Sequence, residues 1–470
     1  MDNGVTRRER SPGMKLLFVA IVAAVLIVPL MLVYALVYDR QDQAQTAQQA
    51  INAGWGGQQV LSGPIVAIPY KTTQLQRESV DGKTVERAVE VEKTLYLSPV
   101  ENRAETRIDP QERKKSIYRS VLYTARVSGH ASFAVPADLA RFGIKPAQIL
   151  WDRAELRIGV SDARGLTTGG FVKASGKPLE VQPGNGPAAS GGQGFFAFVP
   201  WDGQGTLPVE YAYSVRGSRA IGLVPRGGST RWDVTSAWPS PSFGGSFLPE
   251  KPRISGKGFT ASYTVDKLAL GQPPVANEDM APPQIDNLDG SSGSYIAMAR
   301  ADRGGSGQSL AVTVGLVEPV NLYSKVNRAV KYGFLFIGFT FLAFLLFDVV
   351  GGARVASAEY LLTGAGLILF FVLLLAFAEV IGFTAAYLLA SAAIIGLLTA
   401  YSAAVLGSWK RARFIGALLV GLYALLFVLL NLAAWSLLIG SVLLFAALAG
   451  VMYATRKVDW GAVGRHDATA

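Results

Sequence analysis

The longest uncharged segment near the start of the chain, residues 16–37, sets the first limit on what this protein can be. At a rise of about 1.5 Å per residue, a helix of that length spans roughly the hydrocarbon thickness of a bilayer. Basic residues precede the segment, as in a signal peptide. The segment is too long for a signal's apolar region, however, and no small-residue cleavage site follows closely. We therefore predict an uncleaved transmembrane anchor after a cytoplasmic segment, residues 1–15.

Five further apolar runs lie in the C-terminal third and predict five more membrane-spanning helices. They cover residues 332–350, 360–377, 384–406, 414–430 and 435–453. Lys and Arg occur in alternate connections between these runs and again in the tail, residues 454–470. Because basic loops favour the cytoplasm, we expect six spans with both termini cytoplasmic. Residues 38–331 then form a domain outside the cytoplasm.

This exported segment, residues 38–331, has the period-two alternation of β-strands. Clear examples are residues 89–97, 116–127, 154–160 and 207–217. We expect a membrane protein of the α+β class, with a large, all-β, mostly antiparallel, sandwich-like domain between the anchor and a five-helix bundle. Two helical pieces, residues 41–51 and 136–143, and a long loop, residues 271–295, interrupt the pattern. A boundary between two β modules near residues 184–194 stays open.

Composition excludes several kinds of chemistry. The chain has no cysteine, which rules out disulfides, zinc–thiolate sites and thiol catalysis. Its two histidines, His130 and His466, lie far apart in sequence and form no metal-ligand pattern. The net charge of +10 is not gathered into a basic stripe with interleaved aromatics, so we do not expect nucleic-acid binding.

Two loops resemble ligand sites only in part. The glycine-rich residues 183–194 lack the Lys-Ser or Lys-Thr pair and the following helix of a phosphate loop. The acidic residues 286–290 lack the glutamate that closes a calcium loop. We interpret both as solvated connections and predict no cofactor and no metal.

One turn joins a carboxylate to a guanidinium at close spacing. Asp162 and Arg164 lie in the segment GVSDARG, residues 159–165. Asp162 can accept backbone N–H bonds within the turn while Arg164 pairs elsewhere. We interpret the pair as a structural corner, because a catalytic carboxylate would need a partner that the sequence does not supply.

Aromatic residues are concentrated among prolines and glycines in the segment TSAWPSPSFGGSFLPE, residues 235–250. Trp238, Phe243 and Phe247 have two interpretations. They can close the open end of the sandwich, or they can form an exposed platform for a partner or the bilayer surface. The prolines favour an extended path and the glycines a sharp turn.

Four ionisable residues lie close to the predicted spans. Arg328 and Lys331 precede the second span and are interpreted as anchors that reach lipid phosphates or carboxylates of the exported domain. Asp348 ends the second span and Glu379 the third, and both are expected to reach water. Small-residue pairs, Ala392 with Gly396 and Ala446 with Gly450, favour close helix packing over a conduit.

Several stretches in their order resemble the CreD family of inner-membrane proteins, described as cell envelope integrity proteins. The stretches are LSGPIVAIPY, GVSDARG, SGGQG, SAWPSPSFGGSFLP, NRAVKYGFLFIGFTFLAFLLFD, EYLLTGAGLILFFVLLLAFAEVIGFTAAYLLAS and RKVDW. The resemblance implies a multi-pass protein of the cell inner membrane. It also implies regulation by a two-component sensor system and a link to envelope stress, colicin tolerance and the β-lactam response. It supplies no catalytic residue.

The leading hypothesis is a non-enzymatic envelope protein whose exported β domain binds or stabilises another envelope component. Besides the lipid bilayer, the partner is an envelope protein, a lipid or a peptidoglycan component. The alternative is a transporter or export accessory for a small or lipidic envelope substrate. A third interpretation, an envelope hydrolase, requires two carboxylates converging in one cleft.

Overall fold

The structure, a computed structural model, describes residues 12–80, 83–283, 309–316, 322–349, 355–431 and 436–456. Backbone packing divides the chain into two units. The helical unit comprises Met1–Gln45 and Val320–Ala470, and the β unit comprises Thr46–Pro319. Parts of three expectations lie outside the described residues: the cytoplasmic ends, the second half of the loop 271–295 and the acidic motif 286–290.

Strongly apolar helices lie at both ends of the described chain, together with one short helix and one amphipathic helix. The helices are α1 Pro12–Ala53, the short α2 Lys267–Leu270, the amphipathic α3 Leu322–Lys331, α4 Gly333–Val349, α5 Ser357–Ile381, α6 Phe383–Val405, α7 Trp409–Asn431 and α8 Ser436–Thr455. Among the described residues, five helices are long and apolar enough to cross a membrane: Leu16–Ala53, Leu322–Asp348, Ser357–Ile381, Phe383–Val405 and Trp409–Asn431. The last helix, α8, covers the position of the sixth span that the sequence predicts.

The anchor and the predicted helical piece after it are one continuous helix, α1, of 42 residues. Residues 38–53 are rich in Ala and Gln, which favour helix, and Gly54 is the first glycine after them. The second predicted helical piece, residues 136–143, is reduced to a 3₁₀ turn at Leu139–Phe142.

The β unit contains seventeen described strands. They are β1 Gln59–Val80, β2 Lys83–Leu97, β3 Glu101–Lys115, β4 Tyr118–Ala134, β5 Glu155–Val160, β6 Phe171–Ala174, β7 Lys177–Pro178, β8 Gln182–Pro183, β9 Gly194–Phe198, β10 Thr206–Ser218, β11 Ala220–Val224, β12 Ser229–Ser236, β13 Pro241–Gly245, β14 Arg253–Ser255, β15 Gly258–Asp266, β16 Val275–Ala276 and β17 Val312–Leu316.

The strands form two sheets. One has nine strands in the order β13-β17-β11-β1-β5-β9-β8, with β2 paired to β1 and β16. The other has eight strands in the order β14-β15-β12-β3-β4-β10-β6-β7. Most pairs are antiparallel, as the sequence predicts. Two parallel pairs, β1 with β11 and β3 with β12, make both sheets mixed.

One hydrophobic core joins the two sheets, so the β unit is a single domain. The buried cluster contains Ile68 from the nine-stranded sheet and Tyr123 and Trp232 from the eight-stranded sheet. Trp232 is fully buried, stacks on Tyr263 at 5.4 Å between ring centroids, and donates from Nε1 to Thr106 Oγ1 at 2.8 Å. The glycine-rich residues 184–194 connect β8 to β9 within one sheet and are not a boundary between modules.

Close packing in the helical unit occurs at other glycines than the sequence suggests. A Cβ at Gly364 in α5 would lie 2.1 Å from Leu26 Cδ1 of α1, and one at Gly416 would lie 2.8 Å from Thr399 Oγ1. Gly396 and Gly450, in contrast, have no described atom within 4 Å of that position. The predicted small-residue contacts at Gly396 and Gly450 are therefore wrong, because these residues lie on exposed helix faces.

Candidate functional site

The turn that contains Asp162 is joined to the start of β1 by hydrogen bonds. Asp162 accepts from the backbone N–H of Gly57 at 3.2 Å. The buried side-chain amide of Gln59 donates from Nε2 to the backbone carbonyl of Asp162 at 3.1 Å. Its Oε1 accepts from the backbone N–H of Asp162 at 3.2 Å. Arg164 donates to both carboxylate oxygens, at 2.9 and 2.8 Å. The expectation that Arg164 pairs elsewhere is therefore wrong, because the 3₁₀ turn at Ala163–Gly165 brings its side chain back to Asp162.

Electrostatics agree with a structural role for this carboxylate. The Arg164 guanidinium is the main cause that lowers the pKa of Asp162, burial of the carboxylate opposes the shift, and the Gly57 N–H lowers the pKa further. The Asp162 side chain is only 15% exposed, whereas that of Arg164 is 73% exposed. A carboxylate held ionised in this way is a poor general acid, since it releases its proton well below neutral pH.

Replacing Asp162 with asparagine is expected to lower the free energy of unfolding by about 1–2 kcal/mol at neutral pH. Because the folded-state pKa lies below the unfolded value of about 3.9, the stabilisation is complete above that value. It is lost as the pH falls through the folded-state pKa. Denaturant unfolding of the full chain at pH 7 and in the acid range, with Asp152→Asn at an exposed carboxylate as the control, measures this. A gap between wild type and Asp162→Asn that does not shrink in acid contradicts it.

A buried ion pair that no sequence motif predicts lies elsewhere in the β unit. Arg226 Nη2 is 2.7 Å from Asp279 Oδ1, and the side chains are 3% and 6% exposed. Asp279 Oδ2 also accepts from the backbone N–H of Ala188 at 2.5 Å, and Oδ1 from the N–H of Met280 at 2.8 Å. The backbone of Arg226 is bonded to the Thr230 hydroxyl, which donates to the Arg226 carbonyl at 2.8 Å.

This ion pair unites three segments that look unrelated in the sequence. Arg226 begins the Arg-Gly-Gly turn before β12, Asp279 belongs to the loop after β16, and Ala188 lies in the glycine-rich loop. The glycine-rich loop thus presents a backbone N–H to a protein carboxylate. The sequence signals are an arginine in a glycine turn and the adjacent acids Glu278 and Asp279 in a proline-rich loop.

The aromatic stretch, residues 235–250, lies against the core. Trp238, Phe243 and Phe247 are half-buried and pack on the hydrophobic cluster of the β unit. The ring of Phe243 meets that of Phe259 edge to face at 5.8 Å. Pro241 is the first residue of the edge strand β13, a position at which proline is tolerated. This packing is what closure of the sandwich end requires, and docking of a partner at these rings stays a prediction.

The membrane-flanking ionisable residues have different surroundings. Asp348 is 5% exposed and accepts from the backbone N–H of Val355 at 3.4 Å, so the expectation that it reaches water is wrong. The position of Asp348 at the end of an apolar run does not determine whether its side chain is buried in the folded protein. Glu379 is half-buried and accepts from the Tyr323 hydroxyl at 3.0 Å. Arg328 is half-buried and Lys331 exposed.

Within the described ranges, no group of three or more histidine, aspartate or glutamate side chains is arranged to hold a metal ion. Asp162, Asp279, Asp348 and Glu379 each accept a hydrogen bond from a different donor. The hydrolase interpretation stays a prediction.

A long two-stranded ribbon in the β unit has exposed or half-exposed side chains. Strands β1 and β2 pair without interruption from Val66 opposite Leu97 to Val80 opposite Lys83. We define the ribbon as residues 71–80 and 83–93. None of its residues 71–75 and 86–93 is buried, and Leu75 is 64% exposed. Along the ribbon, no described strand pairs with the outer edge of either β1 or β2.

Known proteins match this chain over nearly its whole length. A family model described as "Inner membrane protein CreD" matches residues 11–461. The chain is 32% identical to Inner membrane protein CreD of Escherichia coli (strain K12) over 450 residues, which are 93% of this chain and 90% of that protein. The chain belongs to the CreD family. It is a multi-pass inner-membrane protein, as the ordered motifs and the apolar helices predict.

Solved structures add no argument about this CreD-family chain. M1 zinc metallopeptidase from Deinococcus radiodurans matches with a TM-score of 0.22 at 8% identity, over 47% of this chain and 42% of that chain. A mutant of an M1 zinc metallopeptidase from the same organism, bound to a Tyr-Ser-Ala substrate, matches with a TM-score of 0.24 at 10% identity and the same coverage. At such TM-scores neither the fold nor the chemistry of the peptidase carries over.

Proposed function

We propose that this CreD-family protein is a non-enzymatic component of the envelope whose β unit binds another envelope protein. In this proposal both termini are cytoplasmic and the β unit is periplasmic, as the distribution of basic loops favours. The observation that carries the proposal is the ribbon, which extends from the β unit with its described side chains exposed on both faces.

A two-stranded ribbon of this kind is marginally stable in water without further packing. Leu75 and the half-exposed Val89 and Val91 present apolar surface to solvent. Full burial of one such side chain contributes about 1.5–3 kcal/mol. A partner that covers the ribbon would therefore stabilise it and gain affinity at the same time.

The edges of the ribbon indicate how the partner binds. Unpaired backbone N–H and C=O groups along an edge strand can add a strand from another chain. Between residues 71 and 93, Lys and Arg equal Asp and Glu in number, so the ribbon has no net charge that would draw it to an anionic surface. This balance favours a protein partner over the lipid bilayer or an anionic glycan.

The test is photocrosslinking of the full chain in living cells. A crosslinking residue at Leu75, on the ribbon, is compared with one at Leu268, which is 85% exposed on α2 outside the ribbon. We expect a discrete protein adduct at Leu75 and none at Leu268. Identical adducts at both positions, or an adduct at Leu75 to lipid or glycan alone, would overturn the proposal.

A variant separates binding from folding. Val89 and Val91 lie on the same face of β2, and Gln74 lies directly opposite Val89 on that face. Changing both valines to aspartate is expected to abolish the protein adduct of a crosslinking residue at Gln74 while the buried core keeps the protein folded. Cells that depend on this variant should show the envelope sensitivity of cells that lack the protein. The matched change at exposed positions of β15, Thr260→Asp with Thr264→Asp, should preserve both the adduct and the envelope.

A further inference from the structure

Three cations follow one another at the beginning of the second span. Helix α3 carries Lys325, Arg328 and Lys331, each three residues from the next, within the span Leu322–Asp348. Residues three apart are neighbours on a helix surface, so the three charges form one band along α3. Like charges this close repel one another unless an anion lies between them.

No described carboxylate neutralises this band. Among the residues that the structure describes, none of the three cations is within ion-pair distance of an acid, whereas Glu379 is bonded to the Tyr323 hydroxyl. Arg328 Nε is shielded from solvent and has no hydrogen-bond acceptor, and the neighbouring Asn327 Oδ1 has no donor. Charged donors at the edge of a membrane normally have hydrogen-bond acceptors, because a shielded charged donor without a hydrogen bond is costly in free energy.

The ends of two other helices hold one of the cations in place without neutralising it. Lys325 Nζ donates to Asn431 Oδ1, at the end of α7, at 3.0 Å. The same ammonium lies 4.9 Å from the centroid of the Phe383 ring, at the start of α6. Both partners are uncharged. The positive charge is therefore fixed at this end of the helical unit, and its counter-ion is absent from the described protein.

We propose that Lys325, Arg328 and Lys331 together bind the phosphate of an anionic phospholipid at the bilayer surface. Phosphate is the anion that a bilayer supplies at the end of a span, and it has acceptor oxygens for several donors. A guanidinium binds phosphate with two parallel hydrogen bonds, and lysines add charge from flexible stems. The ligand is a lipid, bound by its headgroup, and the site is separate from the ribbon and its partner.

The test is native mass spectrometry of the full chain, purified in detergent and titrated with phosphatidylglycerol or phosphatidylcholine. Arg328→Gln with Lys331→Gln is expected to weaken retention of phosphatidylglycerol by about 10- to 30-fold, since each basic residue near a membrane surface contributes on the order of 1 kcal/mol. Retention of phosphatidylcholine should change little. Should the double variant unfold, Lys331→Gln alone, at an exposed side chain, should still weaken retention several-fold.

The control removes the same charge elsewhere. Lys410→Gln with Arg413→Gln changes two exposed basic residues at the start of α7 and should leave retention intact. Equal loss in both double variants would show general charge attraction, and no loss in either would show no site. Displacement of the lipid by millimolar glycerol 3-phosphate would identify a soluble phosphate as the ligand. Each of these three results overturns the proposal.

Discussion

Replacing Arg226 with methionine is expected to lower the free energy of unfolding of the β unit by about 3–5 kcal/mol. The change leaves Asp279 as a buried carboxylate that has lost its guanidinium, at a side chain only 6% exposed. Two backbone N–H groups, from Ala188 and Met280, still donate to it, but they do not balance a full charge in a site shielded from water. Denaturant unfolding of the full chain, followed by tryptophan fluorescence, to which the buried Trp232 contributes, measures the loss.

Two further variants separate the buried pair from charge in general. Arg226→Met combined with Asp279→Leu removes both charges and should recover much of the stability, although the N–H of Ala188 then loses its acceptor. Arg141→Met breaks a surface pair with Asp138, where the side chains are 82% and 53% exposed, and should cost less than about 1 kcal/mol. If Arg226→Met costs no more than Arg141→Met, the buried pair does not stabilise the fold.

Replacing Gly364 with leucine is expected to destabilise the helical unit by about 3 kcal/mol, at the upper end of the usual cost of overpacking. A Cβ at this position would lie 2.1 Å from Leu26 Cδ1 and 3.0 Å from Phe341 Cζ. Leu26 is 2% exposed and has little room to move. Helices α1 and α5 must therefore separate, which lowers the temperature of thermal unfolding of the full chain in detergent.

Gly396→Leu is the matched control for this prediction. Gly396 is also a helical glycine in an apolar segment, but no described atom lies within 4 Å of its Cβ position. The same substitution there should be neutral, or stabilising by up to about 1 kcal/mol because leucine favours helix. Equal losses in the two variants would show that added bulk, and not the contact with Leu26, is responsible.

The sequence predicts the strands well where one face of a strand meets the core. In β10, which covers the predicted strand 207–217, Leu207, Val209 and Tyr211 are buried and Pro208 and Glu210 between them are exposed, so the alternation is visible in the letters alone. The parallel pairing of β3 with β12 was not predicted. It joins residue 101 to residue 229, and period-two patterns carry no information about which distant strand is the neighbour.

Predictions about sites failed where they depended on neighbours from other segments. Arg226 and Asp279 are 53 residues apart, and neither lies in a recognised motif. Asp348 is buried although it ends an apolar run, since helix packing and not hydropathy decides its exposure. The pair Asp162 and Arg164 could be located from the sequence, because the turn that joins them is local. Its interpretation as a corner agrees with their hydrogen bonds.

The order of the strands has a consequence for the order in which the chain is made. The first strand, β1, pairs with β11, and β11 in turn pairs with β17, whose last residue is Leu316. Because synthesis starts at the N-terminus, the nine-stranded sheet cannot be completed until nearly all of the β unit has been synthesised. A sheet that pairs such distant strands forms slowly, and the edges of its first strands stay unpaired until their partner strands are available. Completion of the sheet then falls at the moment when α3 and the later helices begin to emerge.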